Sequence, residues 1–80
     1  MPNPKYIIIK YREIETPIIF APWIKHSEMA NAFQKHEVVS AGFVCQHNGN
    51  LITYGKAETL KLAPQAHDGK LINLLFKELQ

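Results

Sequence analysis

From Lys5 to Arg12 the chain reads KYIIIKYR, a run of β-branched and aromatic residues that predicts a strand. Pro2 and Pro4 keep the residues before it loose. A polar connection, EIET, leads into PIIF from Pro17 to Phe20, a second, short strand. Pro17 at its start and Pro22 just beyond it suit an edge or strand-end position, because proline cannot donate to a ladder. Ser27 is placed to cap a helix with its hydroxyl, and Glu28 then falls in the first turn, where the helix dipole favours an acid. Met29, Phe33 and His36 recur at helical spacing beside Ala30 and Ala32, so residues 27–36 predict a short amphipathic helix. Val38 and Val39 resume strand chemistry.

Asn48-Gly49 between two β-rich runs is a strong hairpin signal, since both central residues of a type I′ turn need positive φ. Residues 38–47 then pair with 50–57. His47 faces Asn50, Cys45 faces Ile52, Phe43 faces Tyr54 and Gly42 faces Gly55. Beyond Gly55, KAETLKL continues the strand or bends into another, and Pro64 stops it. In HDGKLINLLFKELQ, Asp68 is the N-cap of a helix carrying Leu71, Ile72, Leu74, Leu75, Phe76 and Leu79. The order β-β-α-β-β(-β)-α makes residues 1–80 a single α+β domain, a mostly antiparallel sheet covered by helices.

Alternation divides the hairpin into two faces. One carries Val39, Ala41, Phe43 and Cys45 opposite Tyr54 and Ile52, an apolar surface expected under the helices. The other carries Val38, Ser40, Gly42, Val44 and Gln46 opposite Thr53, Gly55 and Ala57. Paired glycines strip that face of every Cβ at its centre, and glycine within a strand costs about 0.5–1 kcal/mol, so a compensating use is expected. Three uses compete: a bend or bulge, close packing of a helix or second subunit, or the floor of a ligand pocket. On the two latter readings Gly42→Ala disturbs binding or assembly more than folding.

The apolar residues of the last helix spread over an arc of roughly 200°, where a helix lying on one sheet needs about 100°. A second copy of the chain would cover the excess, making a homodimer or larger assembly through Leu71, Ile72, Leu75, Phe76 and Leu79. The competing explanation is a helix sunk between the sheet and the first helix.

At 80 residues the chain buries only about 60% of its unfolded surface, which makes it marginal. The hydrophobic fraction of 46% fits neither disorder nor a membrane protein, and the apolar runs fall short of the ~20 residues of a membrane helix. The opening residues show no secretory pattern, and one cysteine, Cys45, forms no internal disulfide, so a reducing cytoplasm is the expected setting. The net charge of +2 comes from lysines scattered along the chain and the single Arg12. Nucleic-acid binding, which favours clustered Lys and Arg, is not indicated.

Cys45 and His47 share a strand face, yet one such pair falls short of a zinc ligand set, and a core-facing Cys45 lacks the electropositive setting of a nucleophile. No metal or cofactor is expected. Phosphate-loop, dinucleotide, Gly-x-Ser-x-Gly and His-Glu-x-x-His patterns are all missing from the sequence, so the expectation is a protein that is not an enzyme. His26, just before a helix N-terminus, could face an anion held by free helix amides. The candidate ligand contacts are thus Gly42 and Gly55 as floor, with Ser40, Thr53, His26, Arg12 and Lys61 around it.

VSAGFV followed by YGKAETLKL resembles a group of small, mostly uncharacterised phage and prophage proteins. Members carry a Tyr-Ile-Ile strand, a Pro-Ile-Ile-Phe strand, a His before a short helix, Val-Ser-Ala-Gly-Phe, and Tyr-Gly-x-Ser-x-Ser-Leu-Gly-Leu. The matching positions are Tyr6-Ile7-Ile8, Pro17-Ile18-Ile19-Phe20, His26, Val39-Ser40-Ala41-Gly42-Phe43 and Tyr54-Gly55. Ala57 and Thr59 stand where the group has serines, and Lys61 where it has glycine. The resemblance implies an accessory protein in a bacterial cytoplasm that neutralises a host factor or a signalling nucleotide. Two functions follow: a homo-oligomeric protein that captures a small anionic ligand, or a protein-protein inhibitor or assembly factor that uses an edge strand or the last helix against a host or virion protein.

Overall fold

The computed structural model describes residues 2–78. Its elements are β1 (Lys5–Tyr11), β2 (Ile14–Phe20), α1 (His26–Ala32), β3 (Glu37–His47), β4 (Asn50–Tyr54) and α2 (Asp68–Glu78). The strands form one sheet in the order β2-β1-β3-β4, with every neighbouring pair antiparallel. The architecture is the expected α+β class.

The sheet has a core on each face. Tyr6, Ile7, Ile8 and Ile9 of β1 are all buried. Ile7 and Ile9 join Phe20, Ala41 and Ala57 in one core, against Met29, Phe33, Leu60 and Leu62. Tyr6 and Ile8 join Val44 and Ile72 in the other, against Val39, Leu51 and Leu71. The helices therefore lie on opposite faces, α1 over the first core and α2 over the second. This corrects the expectation of one hairpin face under both helices. An apolar run with no polar alternation is what a strand covered on both sides requires.

A bulge shapes β3. Ile8 pairs with Ser40 but Ile9 pairs with Val38, leaving Val39 as the extra residue. Val39 and Ser40 consequently lie on the same face, so Val39 does not share the face of Ala41 as simple alternation requires. The carbonyl that the bulge frees on Val39 accepts from Gln65 Nε2 at 3.0 Å.

Several boundaries move for local reasons. The β1–β2 connection is the two-residue turn Arg12-Glu13, with Tyr11 opposite Ile14 and Arg12 at φ 58°. β2 thus starts at Ile14, and Pro17 sits within it opposite Ile8. Alternation from the turn puts the proline nitrogen on the outer side of this edge strand, where no ladder bond is lost. α1 begins at His26 rather than after Ser27, because Glu28 Oε1 accepts the Lys25 amide at 3.1 Å. It ends at Ala32, and residues 33–36 close tighter turns, with Phe33 N donating to Ala30 O and His36 N to Phe33 O. α2 starts with Asp68 as its first helical residue and not as the cap before it, and the Asp68 carboxylate accepts from Gln65 N in the preceding turn.

The hairpin register holds from His47↔Asn50 through Phe43↔Tyr54. There β4 ends. Gly55 turns away at φ 72°, so it does not face Gly42 across a ladder. Residues 57–62 form a turn rather than a strand, closed by Ala57 N donating to Leu62 O at 2.8 Å, with Lys61 at φ 55°.

The two glycines serve different ends. A Cβ on Gly42 would lie 2.7 Å from Tyr54 O, 3.0 Å from Pro64 Cγ and 3.3 Å from Tyr6 Cε1. The close approach is real, and the chain itself fills it. Gly55 supplies the bend, with the Phe43 ring 2.8 Å from where its Cβ would be. Gly42→Ala should therefore lower folding stability by about 1–3 kcal/mol, as overpacking does. The denaturation midpoint measures this, and wild-type stability would show that the Pro64 segment moves aside freely.

Candidate functional site

The seven candidate ligand residues do not converge. Ser40 and Gly42 are buried on the α2 face, with Thr53 half-buried beside Tyr6. His26 is buried on the α1 face. Arg12 is exposed at the β1–β2 turn, its guanidinium 5.3 Å from the Tyr11 ring centroid. Gly55 and Lys61 are exposed in the connection after β4. No pocket with a glycine floor forms from them, because Pro64 and Tyr6 close over Gly42 and Gly55 has left the sheet.

On the α2 face a polar cluster holds the helix. Tyr6 Oη donates to Asp68 Oδ2 at 2.7 Å, and Gln65 N donates to the same oxygen at 2.9 Å. Both Tyr6 and Asp68 are wholly buried. Burial, then the hydrogen bond to Asp68 and its charge, push the Tyr6 phenol above its ordinary range, against a smaller opposite effect of Thr53. Asp68 Oδ1 and Ser40 Oγ are buried with no hydrogen-bond partner among the described residues.

His26 has a structural setting. Its ring stands edge-on between Phe20 and Phe43, with centroids 5.5 and 5.4 Å away, and Nε2 donates to Gly42 O at 2.8 Å. It faces inward, so it does not meet an anion at the start of α1. Burial lowers its pKa; the Gly42 carbonyl raises it and the charge of Lys5 lowers it further. Exposed His67 shows the opposite direction, since Glu15 Oε1 lies 2.9 Å from Nε2 and favours the imidazolium.

The apolar arc of α2 is shared between two environments. Ile72 is wholly buried in the chain's own core, with Leu71 packed beside it and Leu75 half-buried. Ile72 and Leu71 cover the sheet and are not a free interface. Leu74 and Phe76 are 48% and 39% exposed. Leu79 lies outside the described residues.

The exposed pair borders a groove of about 560 Å³ between α2 and the tip of the β3–β4 hairpin. Lys70, Asn73 and Lys77 line it from the helix, and Gln46, Gly49, Asn50 and Leu51 from the hairpin. Lys70 and Lys77 are two turns apart, about 10 Å along the axis. Neither makes an ion pair among the described residues, and the lining includes no carboxylate. The turn that makes the tip has Asn48 and Gly49 at φ 50° and 81°, and open space surrounds the Cβ position of Gly49, so a ligand can approach backbone there. Cations, carboxamides and apolar side chains together suit recognition of an anion with an apolar body. The i, i+3, i+7 spacing of Lys70, Asn73 and Lys77 marks one side of a helix in the sequence. Its position opposite the Asn48-Gly49 turn depends on the tertiary fold.

Cys45 is half-buried and His47 exposed, and among the described residues no three of His, Cys, Asp and Glu gather as metal ligands. No helix of the described chain is long and apolar enough to cross a membrane. No protein-family model, curated protein or solved structure matches this chain.

The two histidines give opposite pH dependences. His26, with its pKa depressed in the fold, contributes stability that is complete above about pH 6.5 and is lost as pH falls toward the folded value. His67, with its pKa raised, contributes below about pH 6.5 and loses that contribution as pH rises through its folded value. Solvent screening keeps the exposed His67 contribution small, so His26 sets the slope. Wild-type stability in urea should fall between about pH 7.5 and 5.5, and His26→Phe should flatten that dependence while costing about 0.5–1.5 kcal/mol for the lost hydrogen bond to Gly42 O. A slope that survives the substitution would assign it to another group.

Proposed function

We propose that this chain is a non-catalytic binding protein that captures a small, anionic, nucleotide-like ligand in the groove between α2 and the β3–β4 hairpin tip. The observation that carries the reading is the pairing of Lys70 and Lys77 with an uncharged remainder of the lining. The volume lies within the ordinary range of small-molecule sites, about 300–1,000 Å³. Phe76, Leu74 and Leu51 offer apolar surface to a ring, Gln46 and Asn50 offer carboxamides to its edge, and the ammoniums take the anionic groups. The resemblance to phage proteins supports a setting in a bacterial cytoplasm, where sequestering such a ligand counteracts a host factor.

A second reading, association with another copy or with a host or virion protein, has its own support. Ile52 and Tyr54 are 43% and 40% exposed on β4, beside half-buried Phe43, whose ring stacks on Tyr54 at 5.6 Å. This apolar end of the sheet lies on the α1 side but beyond the first core.

Titration calorimetry with ADP and with linear and cyclic dinucleotides tests the binding reading. Each lysine-anion hydrogen bond is worth about 1.5–3 kcal/mol, so Lys70→Gln or Lys77→Gln should weaken binding roughly 10- to 100-fold. Equal affinity in the double variant, or no binding by the wild type, would sink it. Light scattering separates the second reading: a mass above 9.1 kDa that returns to 9.1 kDa on Ile52→Lys would place a self-interface on β4. A wild type at 9.1 kDa would remove the self-association half of it.

A further inference from the structure

One side chain in the groove has no hydrogen-bond donor left for a ligand. Asn73 Oδ1 accepts from Leu51 N at 3.0 Å, and Nδ2 donates to Leu51 O at 2.8 Å and to Gly69 O at 2.7 Å. The carboxamide has used both of its N–H bonds and has one of its acceptor sites engaged. Its bonds reach a residue 22 positions away in sequence, on a different element.

The identity of the two Leu51 groups matters. Counting outward from the two-residue turn, His47↔Asn50, Cys45↔Ile52 and Phe43↔Tyr54 exchange ladder bonds, while Leu51 points its N–H and C=O away from β3. β4 is the outermost strand on this side. Its outward-facing pair at Leu51 is the pair that a neighbouring strand would engage, and Asn73 engages it instead. A primary amide has the donor and acceptor pattern of a peptide unit, so it can take the place of one residue of an added strand.

We infer that Asn73 is the positioning residue of the groove, its carboxamide standing in for a strand neighbour and so fixing the hairpin tip against α2. The inference rests on the binding reading of that groove. Lys70 sits one turn before Asn73 and Lys77 one turn after it, so the same contact sets how far both ammoniums stand from Gln46 and Asn50. The contact also occupies the β4 edge, which is a template for strand addition when left open.

The test uses the full chain with ADP as probe, and reads Leu51 by amide hydrogen exchange and by its proton contacts to Gly69. In Asn73→Ala, exchange at Leu51 should speed at least tenfold relative to Val44 in the interior of the sheet, and the contacts to Gly69 should weaken. ADP affinity should fall about tenfold although both lysines remain. Asn73→Asp keeps the acceptor and loses the donor, so it should retain protection of the Leu51 amide, and it serves if the alanine variant does not fold. Unchanged exchange at Leu51 would overturn the inference. Faster exchange with unaltered ADP affinity would reduce Asn73 to a structural role and overturn it equally. Should the wild type bind no ADP, the binding reading fails on its own, and exchange at Leu51 together with its contacts to Gly69 decides whether Asn73 positions the tip.

Discussion

Strand β1 fills both cores at once, and the rest of the molecule is arranged around that fact. Tyr6, Ile7, Ile8 and Ile9 are each at most 7% exposed and point alternately to opposite faces. Fully burying a large apolar side chain is worth about 1.5–3 kcal/mol, so these four supply roughly 6–12 kcal/mol. A whole domain retains only about 5–15 kcal/mol after entropy is counted. In a chain this short, neither face of β1 can be left wet. One short helix and the turn at 57–62 cover one side, and α2 covers the other.

Tyr6 connects this packing to polar structure. Its ring fills the α2-side core and its hydroxyl ends on Asp68 at 2.7 Å. A carboxylate in such a place costs several kcal/mol unless hydrogen-bonded, and the Tyr6 hydroxyl and Gln65 amide meet part of that demand. The same residue, through its Cε1, lies against the bare Cα of Gly42. Gly42 thus makes room for the aromatic ring that holds the start of α2, and it has no surface left to offer a ligand.

How much of this could be read from the sequence depended on range. Asn48-Gly49 set the hairpin and its register because turn chemistry is local, and the apolar spacing after Asp68 marked α2 for the same reason. The run Tyr6-Ile7-Ile8-Ile9 also carried a usable sign of two-sided burial, which the hairpin's alternation obscured. The bulge at Val39 had no such sign. It puts Val39 on the same face as Ser40, and Gln65 binds the Val39 carbonyl. Gly55 looked like strand and proved to be its end, since a glycine marks a close approach or a bend equally well in sequence. Which one it marks depends on whether φ is positive, and only the fold decides that.

The groove was illegible for a related reason, and its position follows from the economy of the fold. Both faces of the sheet are spent on the cores. Each edge is interrupted at one point, β2 at Pro17, which has no amide to offer, and β4 at Leu51, which the Asn73 carboxamide engages. The crease beside that carboxamide, where α2 overhangs the hairpin tip, is concave. Its walls come from residues brought together across 22 positions of sequence, so no local pattern announces them. The helix that carries Lys70 and Lys77 is fixed at its first turn by Asp68 and at its middle by Asn73. A ligand bound there as proposed would meet ammoniums on a wall whose position is already set, which would spare binding the entropic cost of ordering the helix.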